Sequence, residues 1–333
     1  MTPNLDFFDR VSILIVGDIM LDRYLWGDIR RISPEAPVPI VEIDRETRTG
    51  GGAANVASNL TALGVRCELF GVVGNDAHGV ELQALLQTQQ VLFDPRLVRP
   101  ATPTITKTRI VAQRQQICRL DQESGPEAYS LAKPELLELL AEKAAKYDAV
   151  ILSDYAKGVI SQPVIDTLRR VRAKFKTFLA LDPKPRRPLD ISGLDLLSPN
   201  HSEGLLLSGL VAEGRKGPGA DEIAAAIHER HRPECLVMTM GEKGMLLRTR
   251  HGLTRQFPTV VRQVADVSGA GDTVIATLTA AMAAGLAPEE AVLIANAAAG
   301  VVVGKLGTAT VTRQELMQAL VSASSAHENP PGV

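Results

Sequence analysis

Cysteine is scarce. Cys67, Cys118 and Cys235 are scattered through 333 residues, and no two of them form a CxxC pair. An odd count at this spacing excludes a cysteine-based metal site and predicts a reduced, cytoplasmic protein. A basic excess is also lacking. Lys and Arg total 36 against 38 Asp and Glu, a net charge of −2. A nucleic-acid or membrane surface would need clustered cations, so neither partner is expected. No apolar run is long enough and clean enough to span a bilayer. The most apolar stretch, Val274 to Val303, is broken by Gly285, Pro288, Glu289 and Glu290 and reads as two buried helices. The N-terminus, MTPNLDFFDR, is acidic and precedes only a short apolar run, so it is not a secretory signal. No internal repeat is visible. No GxGxxG follows the first predicted strand, where Gly17-Asp18-Ile19-Met20 stands, and no GxxxxGK[ST] phosphate loop occurs.

What is present is enough apolar material for a large core, 45% of residues. Continuous apolar runs at Val11–Val16, Glu68–Val73, Ala149–Ser153, Thr177–Leu181, Leu194–Leu197 and Leu236–Met240 read as strands. Helical spacing at Ala53–Leu63, Val80–Gln90, Pro134–Tyr147, Pro163–Lys174, Asp221–Arg230 and Asp272–Ala284 falls between or after them. The alternation predicts an α/β fold, a parallel sheet covered on both faces. Pro37–Asp44 and Thr104–Leu120 break the rhythm with strand-like alternation and no intervening helix. They read as antiparallel strands outside the main sheet, a small lid, or as irregular surface hairpins. Residues 323–333, ending in SSAHENPPGV, read as a disordered tail.

Ligands of α/β sheets collect beyond the carboxyl ends of strands. Asp18, Asp154, Asp182, Lys184, Asn200 and Gly241 all fall at such ends. Gly50-Gly51-Gly52-Ala53-Ala54-Asn55 opens a helix, where consecutive glycines admit a ligand to the backbone. Near the C-terminus, DVSGAGDTV places Gly269, Ala270 and Gly271 ahead of Asp272 and another helix. Unhindered amides and the positive helix end suit a transferring phosphoryl group, and Asp272 could accept a proton from an attacking hydroxyl. The spacing supports equally a plain helix cap at Asp272.

DVSGAGDTV resembles the C-terminal signature of the ribokinase-like carbohydrate kinases, and GGGAANVASNLTALG with ELFGVVGNDAHG resembles their N-terminal one. Gly17–Asp22, Asn200–Glu203 and Thr239–Gly244 match in the same order, so the resemblance covers about Val11 to Thr312. Arg30–Ile43, Ser153–Val159, Leu181–Pro185 and the SPNHSE segment further resemble the branch that phosphorylates the anomeric hydroxyl of D-glycero-D-manno-heptose 7-phosphate. That branch feeds ADP-heptose and lipopolysaccharide core synthesis.

The resemblance implies a ribokinase-like doubly wound sheet in a single kinase domain, with a β-stranded lid from residues 23–45 and 102–121. It implies ATP and Mg²⁺, with Asp272 as catalytic base and Gly269, Ala270 and Gly271 as its anion hole. Asn200, His201, Ser202, Glu203, Thr239, Gly241, Gly244 and Asn296 would bind ATP, Asn200 and Glu203 organising the metal. Asp18, Gly51, Gly52 and Asn55 would hold sugar hydroxyls. Lys107, Arg109, Lys157 and Lys184, with Arg186 as an even alternative between ligand and surface charge, would meet the substrate's far phosphate. Asp266 and the Gly304–Gly307 loop match the region where relatives hold K⁺. Ser268 and Val274 stand where many relatives have Thr and Phe, leaving the Gly-Ala-Gly-Asp core intact. Some relatives carry a fused nucleotidyltransferase with an HxGH-type motif. This chain contains none, so a separate partner enzyme is expected downstream. A homodimer is expected through apolar lid residues Val38, Ile40, Ile43, Ile105, Ile110 and Ile117. Two rivals stand beside this reading: another sugar or nucleoside kinase of the same fold, and a catalytically silent sugar or nucleotide sensor.

Overall fold

The first strand, Ser12–Gly17, shows how the sequence builds the molecule. Every residue in it is buried, and alternate side chains feed opposite sides. Ile13 and Ile15 join one apolar core, while Leu14 and Val16 join the other. Fully burying one such side chain is worth roughly 1.5–3 kcal/mol. A strand stabilised from both faces therefore reads as an unbroken apolar run.

The computed structural model describes residues 4–113, 115–211, 217–259, 265–305 and 307–328. Among them, nine strands form one sheet. From one edge the order is Thr254–Phe257, Met245–Thr249, Cys235–Thr239, Leu196–Leu197, Phe178–Asp182, Ala149–Ser153, Ser12–Gly17, Arg66–Phe70 and Leu92–Phe93. The last seven are parallel, and the first two are antiparallel additions. The chain leaves Ser12–Gly17 in one direction and returns to its other side at Ala149–Ser153. The carboxyl ends of these two strands flank the point where the winding reverses, the usual ligand crevice of such sheets. One face is covered by helices Ala53–Ala62, Ala270–Ala283 and Pro288–Val303. The other is covered by Pro134–Ala144, Gln162–Phe175 and Ala220–His231. The apolar stretch from Val274 to Val303 is indeed two buried helices, separated at Gly285 with φ +91°.

A four-stranded sheet stands apart from this body, in the order Pro39–Gly52, Ile19–Ile32, Ile105–Ala112, Gln115–Gln122. It is the lid, and it is larger than the sequence suggests. Its first two strands are 14 residues each and run directly into the body at Gly17 and Ala53. Thr104–Leu120 resolves into a hairpin whose first strand pairs in parallel with Ile19–Ile32.

Three expectations are corrected. Ile105 is 1% exposed and packs in the core, so it does not belong to the lid's outer apolar surface. Helix Arg313–Glu328 carries regular structure past residue 323, where disorder was expected; residues 329–333 lie outside the described residues. The helix expected over Val80–Gln90 starts earlier, at Ala77, because the Asp76 side chain accepts the Gly79 amide at 2.7 Å and caps it.

Candidate active site

Helix Ala270–Ala283 begins beneath the sheet's carboxyl edge. Gly269 precedes it at φ +79°, in the left-handed region, and a Cβ there would lie 2.7 Å from Asn55 Nδ2. Only glycine allows this approach, and the approach delivers Asn55 to the helix. Asn55 Nδ2 donates to Asp272 Oδ2 at 2.7 Å, and the Tyr155 hydroxyl donates to Oδ1 at 2.6 Å. Asn55 is fixed in turn: its carbonyl accepts Asn59 Nδ2, and Asn59 Oδ1 accepts the Thr273 hydroxyl at 2.8 Å. The Asp272 side chain is therefore not a helix cap. Both oxygens are held by side chains of other elements, and the residue is only 4% exposed. Burial raises its pKa to about 6, against the pull of the Tyr155 and Asn55 donors. It is ionised at neutral pH and close enough to titration to exchange a proton.

A cleft of about 180 Å³ opens at this carboxylate. Asp154, Tyr155, Asp182, Lys184, Asn200, Glu203, Thr239, Gly269 and Gly271 line it with Asp272. Asp154 follows Ala149–Ser153, beside the winding reversal, and Asp182 ends the adjacent strand Phe178–Asp182. Burial raises Asp154 to about 6, with Asp18 adding to the rise. Burial and the like charges of Asp272 and Glu203 push Asp182 well above the carboxylate range. Asn200 and Glu203 form a reciprocal cap at the start of helix His201–Ser208: Asn200 Oδ1 accepts the Glu203 amide, and Glu203 Oε2 accepts the Asn200 amide. Glu203 Oε1 pairs with Lys184 Nζ at 2.8 Å.

A second, apolar cavity of about 250 Å³ shares Thr239 and Gly271 with the first. Met245, Val267, Val274, Ala299 and Val303 form its walls, with Gly241, Gly244, Ala270 and Asn296 at its margin. Nothing lies within 4 Å of the position a side chain would take on Gly241 or Gly271, so both leave room beside the backbone. Asn296 donates to the Pro258 carbonyl at 2.7 Å. The polar cleft and the apolar cavity thus meet at the positive end of one helix.

The lid closes the other side. Asp22 points at Gly51, where a Cβ would meet its Oδ2, and accepts from Arg109 Nη1 at 2.6 Å. Gly52 has φ +56° and no room for a side chain against the Asp18 carbonyl. Lys107 pairs with Asp121, and Lys157 with Glu123 at the lid's far strand end. Thr49 and Thr308 share a hydrogen bond of 2.8 Å between lid and body.

Several expectations change. Asp18 is wholly buried, and its carboxylate accepts the amides of Tyr155, Lys157 and Val159. It holds backbone, not a sugar hydroxyl. Asp22, four residues on, is held by Arg109, and its charge acts on Asp272. Lys184 is committed to Glu203 on the Asn200 side and not to the lid. His201 and Ser202 are exposed and line neither cavity. Ala270 does not offer a free amide, because its N–H donates to the Val267 carbonyl. Arg186 is exposed. Sequence reasoning missed Tyr155 and Asp22 as site residues. Tyr155 directly follows a strand end already marked by Asp154, so the same rule could have found it.

The fold and cleft are those of a carbohydrate kinase. The model of the pfkB family carbohydrate kinases matches residues 11–315, and the chain belongs to that family. It is therefore a sugar kinase, a phosphotransferase with an alcohol acceptor. It is similar to the bifunctional protein HldE of Methylobacillus flagellatus, 43% identical over 327 residues, and of Shewanella putrefaciens, 44% over 326. Each match covers 96% of this chain and 65% or 66% of the relative, so the chain spans just under two thirds of their length. Ribokinase from Arabidopsis thaliana, solved with ribose and ATP, shares the fold with a TM-score of 0.72 at 22% identity, covering 93% of this chain and 98% of that one. Phosphofructokinase-2 from Escherichia coli, solved with potassium, gives 0.76 at 17%, covering 94% and 99%. Among the described residues no helix is long and apolar enough to cross a membrane.

Gly269→Ala places a methyl group against Asn55 and forces a left-handed backbone on alanine. We expect a loss of about 1–3 kcal/mol, read as a lowered Tm. An unchanged Tm would contradict the packing described.

Proposed function

We propose that this kinase transfers the γ-phosphoryl group of ATP to the anomeric hydroxyl of D-glycero-D-manno-heptose 7-phosphate. The product, heptose 1,7-bisphosphate, would lose its 7-phosphate by hydrolysis in a phosphatase, and the resulting 1-phosphate would pass through a nucleotidyltransferase to ADP-heptose and the lipopolysaccharide core. The observation that carries the chemistry is Asp272: a nearly buried carboxylate at a helix N-terminus, where a polar cleft meets an apolar cavity. The substrate choice rests on the segments that resemble heptose 7-phosphate kinases and on relatives at 43–44% identity over nearly the whole chain.

In this reading Asp272 takes the proton of the sugar hydroxyl. The sugar oxygen bonds to the γ-phosphorus, and the bond from phosphorus to the bridging oxygen breaks with its electron pair leaving on ADP. Each carboxylate oxygen has a second acceptor site beyond the bond from Asn55 or Tyr155, so the incoming hydroxyl has somewhere to donate. The open backbone at Gly271 and the helix end receive the phosphoryl oxygens. The adenine ring lies in the apolar cavity beside Asn296. Gly51, Asp22 and Asn55 face the sugar.

Among the described residues no three His, Cys, Asp or Glu converge into a ready metal cage. Mg²⁺ does not need one, because it retains water and uses one or two carboxylates plus phosphates. Asp182 and Glu203, with the excess negative charge beside Asp272, fit that demand, with Asn200 beside them. When bound, the ion neutralises charge on the phosphates. In the region matched to the K⁺ site of relatives, the Asp266 carboxylate accepts the amides of Ser268 and Gly307 and so ties that loop together.

The substrate's far phosphate needs cations on the lid side of the cleft. Lys107, Arg109 and Lys157 supply them, each now paired with a carboxylate that a phosphate would partly replace. The exposed Ile32, Val38, Ile43, Ile117 and Leu120 of the lid support a two-fold pairing of lids between two copies. Light scattering at micromolar concentration should return the dimer mass, and a monomer would refute the pairing.

Asp272→Asn should lower kcat by about 10²–10⁴-fold while ATP binding survives. Near wild-type turnover would remove Asp272 as the base. In a panel of sugars, the phosphorylated heptose should exceed the unphosphorylated one in kcat/KM. Lys107→Ala should shrink that preference by about one to two decades, the worth of a charge-assisted hydrogen bond. Equal kcat/KM for both sugars in the wild type would overturn the substrate and leave the kinase.

A further inference from the structure

The segment after strand Ala149–Ser153 has an unusual build. Asp18 Oδ2 accepts the amides of Tyr155 at 2.9 Å and Lys157 at 3.0 Å, and Oδ1 accepts that of Val159 at 3.0 Å. Asp154 Oδ1 accepts the Ala156 amide at 2.8 Å. Ala156 sits at φ +58°, a conformation that residues other than glycine keep only where the surroundings fix it. Gly158, at φ +122°, fits against the Pro126 carbonyl, where a Cβ would lie 2.0 Å away. The loop is thus wound around one buried carboxylate. Its outcome is a single aimed side chain, Tyr155, whose hydroxyl reaches Asp272 Oδ1 at 2.6 Å.

We propose that Tyr155 is a positioning residue for Asp272, kept on target by the loop that the Asp18 carboxylate gathers. The hydroxyl fixes one carboxylate oxygen, so that the free acceptor site of the base faces the cleft in one orientation. This inference rests on the reading of Asp272 as base. The groups facing Asp272 are few. Asn55 and Tyr155 donate to it, Asp22 on the lid strand Ile19–Ile32 repels its charge, and Asp182 at the neighbouring strand end feels that charge in turn. Tyr155 stays protonated, because burial and the charges of Asp272 and Asp182 raise its pKa well above the ordinary phenol value. A permanent donor favours the ionised carboxylate. Its removal makes Asp272 harder to ionise, so the acid limb of the rate profile moves to higher pH.

The test is the pH dependence of kcat/KM for Tyr155→Phe, Asp18→Asn, the double variant and Asp272→Asn. Tyr155→Phe should move the acid limb up by about one pH unit. That is a loss of about tenfold at pH 5 and about twofold at pH 7, with KM for ATP unchanged. Asp18→Asn should move the limb in the same direction, and the double variant no further than Tyr155→Phe alone, because both act through one contact. An acid limb left at the wild-type position in Tyr155→Phe overturns the proposal. Additive shifts in the double variant overturn the link from Asp18. If Asp18→Asn does not fold, the Tyr155→Phe profile decides by itself. An active Asp272→Asn would defeat the base assignment instead, whereas an inactive one beside an unmoved Tyr155→Phe limb would defeat only the positioning role.

Discussion

A carboxylate held out of water by two side-chain donors, at the start of a buried helix, is the constraint on which the site depends. Asp272 is fixed by Asn55 from helix Ala53–Ala62 and by Tyr155 from the loop after Ala149–Ser153. Those two segments follow the lid and a central strand. The body, the lid's root and the helix must therefore all be in place before the carboxylate is. Its raised pKa also has a stability consequence. A carboxyl whose folded pKa lies above its unfolded value of 3.8 contributes stability below pH 3.8, and that contribution is lost as pH rises through about 6. Above that range the ionised group burdens the fold by about 3 kcal/mol, the measure of a shift of roughly two pKa units. The cost is consistent with a group retained for chemistry and not for stability.

Sheet topology explains why so many acids crowd one place. Asp18, Asp154 and Asp182 follow or end three adjacent parallel strands, Ser12–Gly17, Ala149–Ser153 and Phe178–Asp182. The winding reverses between the first two, so their ends are not covered by a connecting helix. The three then divide the work by burial. Asp18, wholly inside, organises backbone, while Asp154 and Asp182 line the cleft. The lid enters directly from the end of Ser12–Gly17, which brings Asp22 close enough for its charge to act on Asp272.

Strands buried on both faces were plain in the sequence because each is an uninterrupted apolar run. The Gly-Ala-Gly-Asp turn was plain because few residues tolerate the backbone it needs. The lid's extent was less legible. Ile19–Ile32 mixes charged and apolar residues and contains two register irregularities, near Trp26 and Arg31, which break simple alternation. Side-chain commitments were not legible at all. Whether Asp18 faced ligand or amides, and whether Lys184 met a sugar phosphate or Glu203, depended on contacts 137 or 19 residues apart in sequence. Strand-end position narrows such residues to one edge of the sheet and cannot say which neighbour each one finds there.

The central claim is that Asp272 is a desolvated base with a pKa near 6. Titration of the side-chain carboxyl ¹³C resonances measures this directly, with the Asp272 signal identified by its disappearance in Asp272→Asn. The account predicts a midpoint at about pH 6 for that signal. A midpoint near 4, among the ordinary surface aspartates, would contradict it.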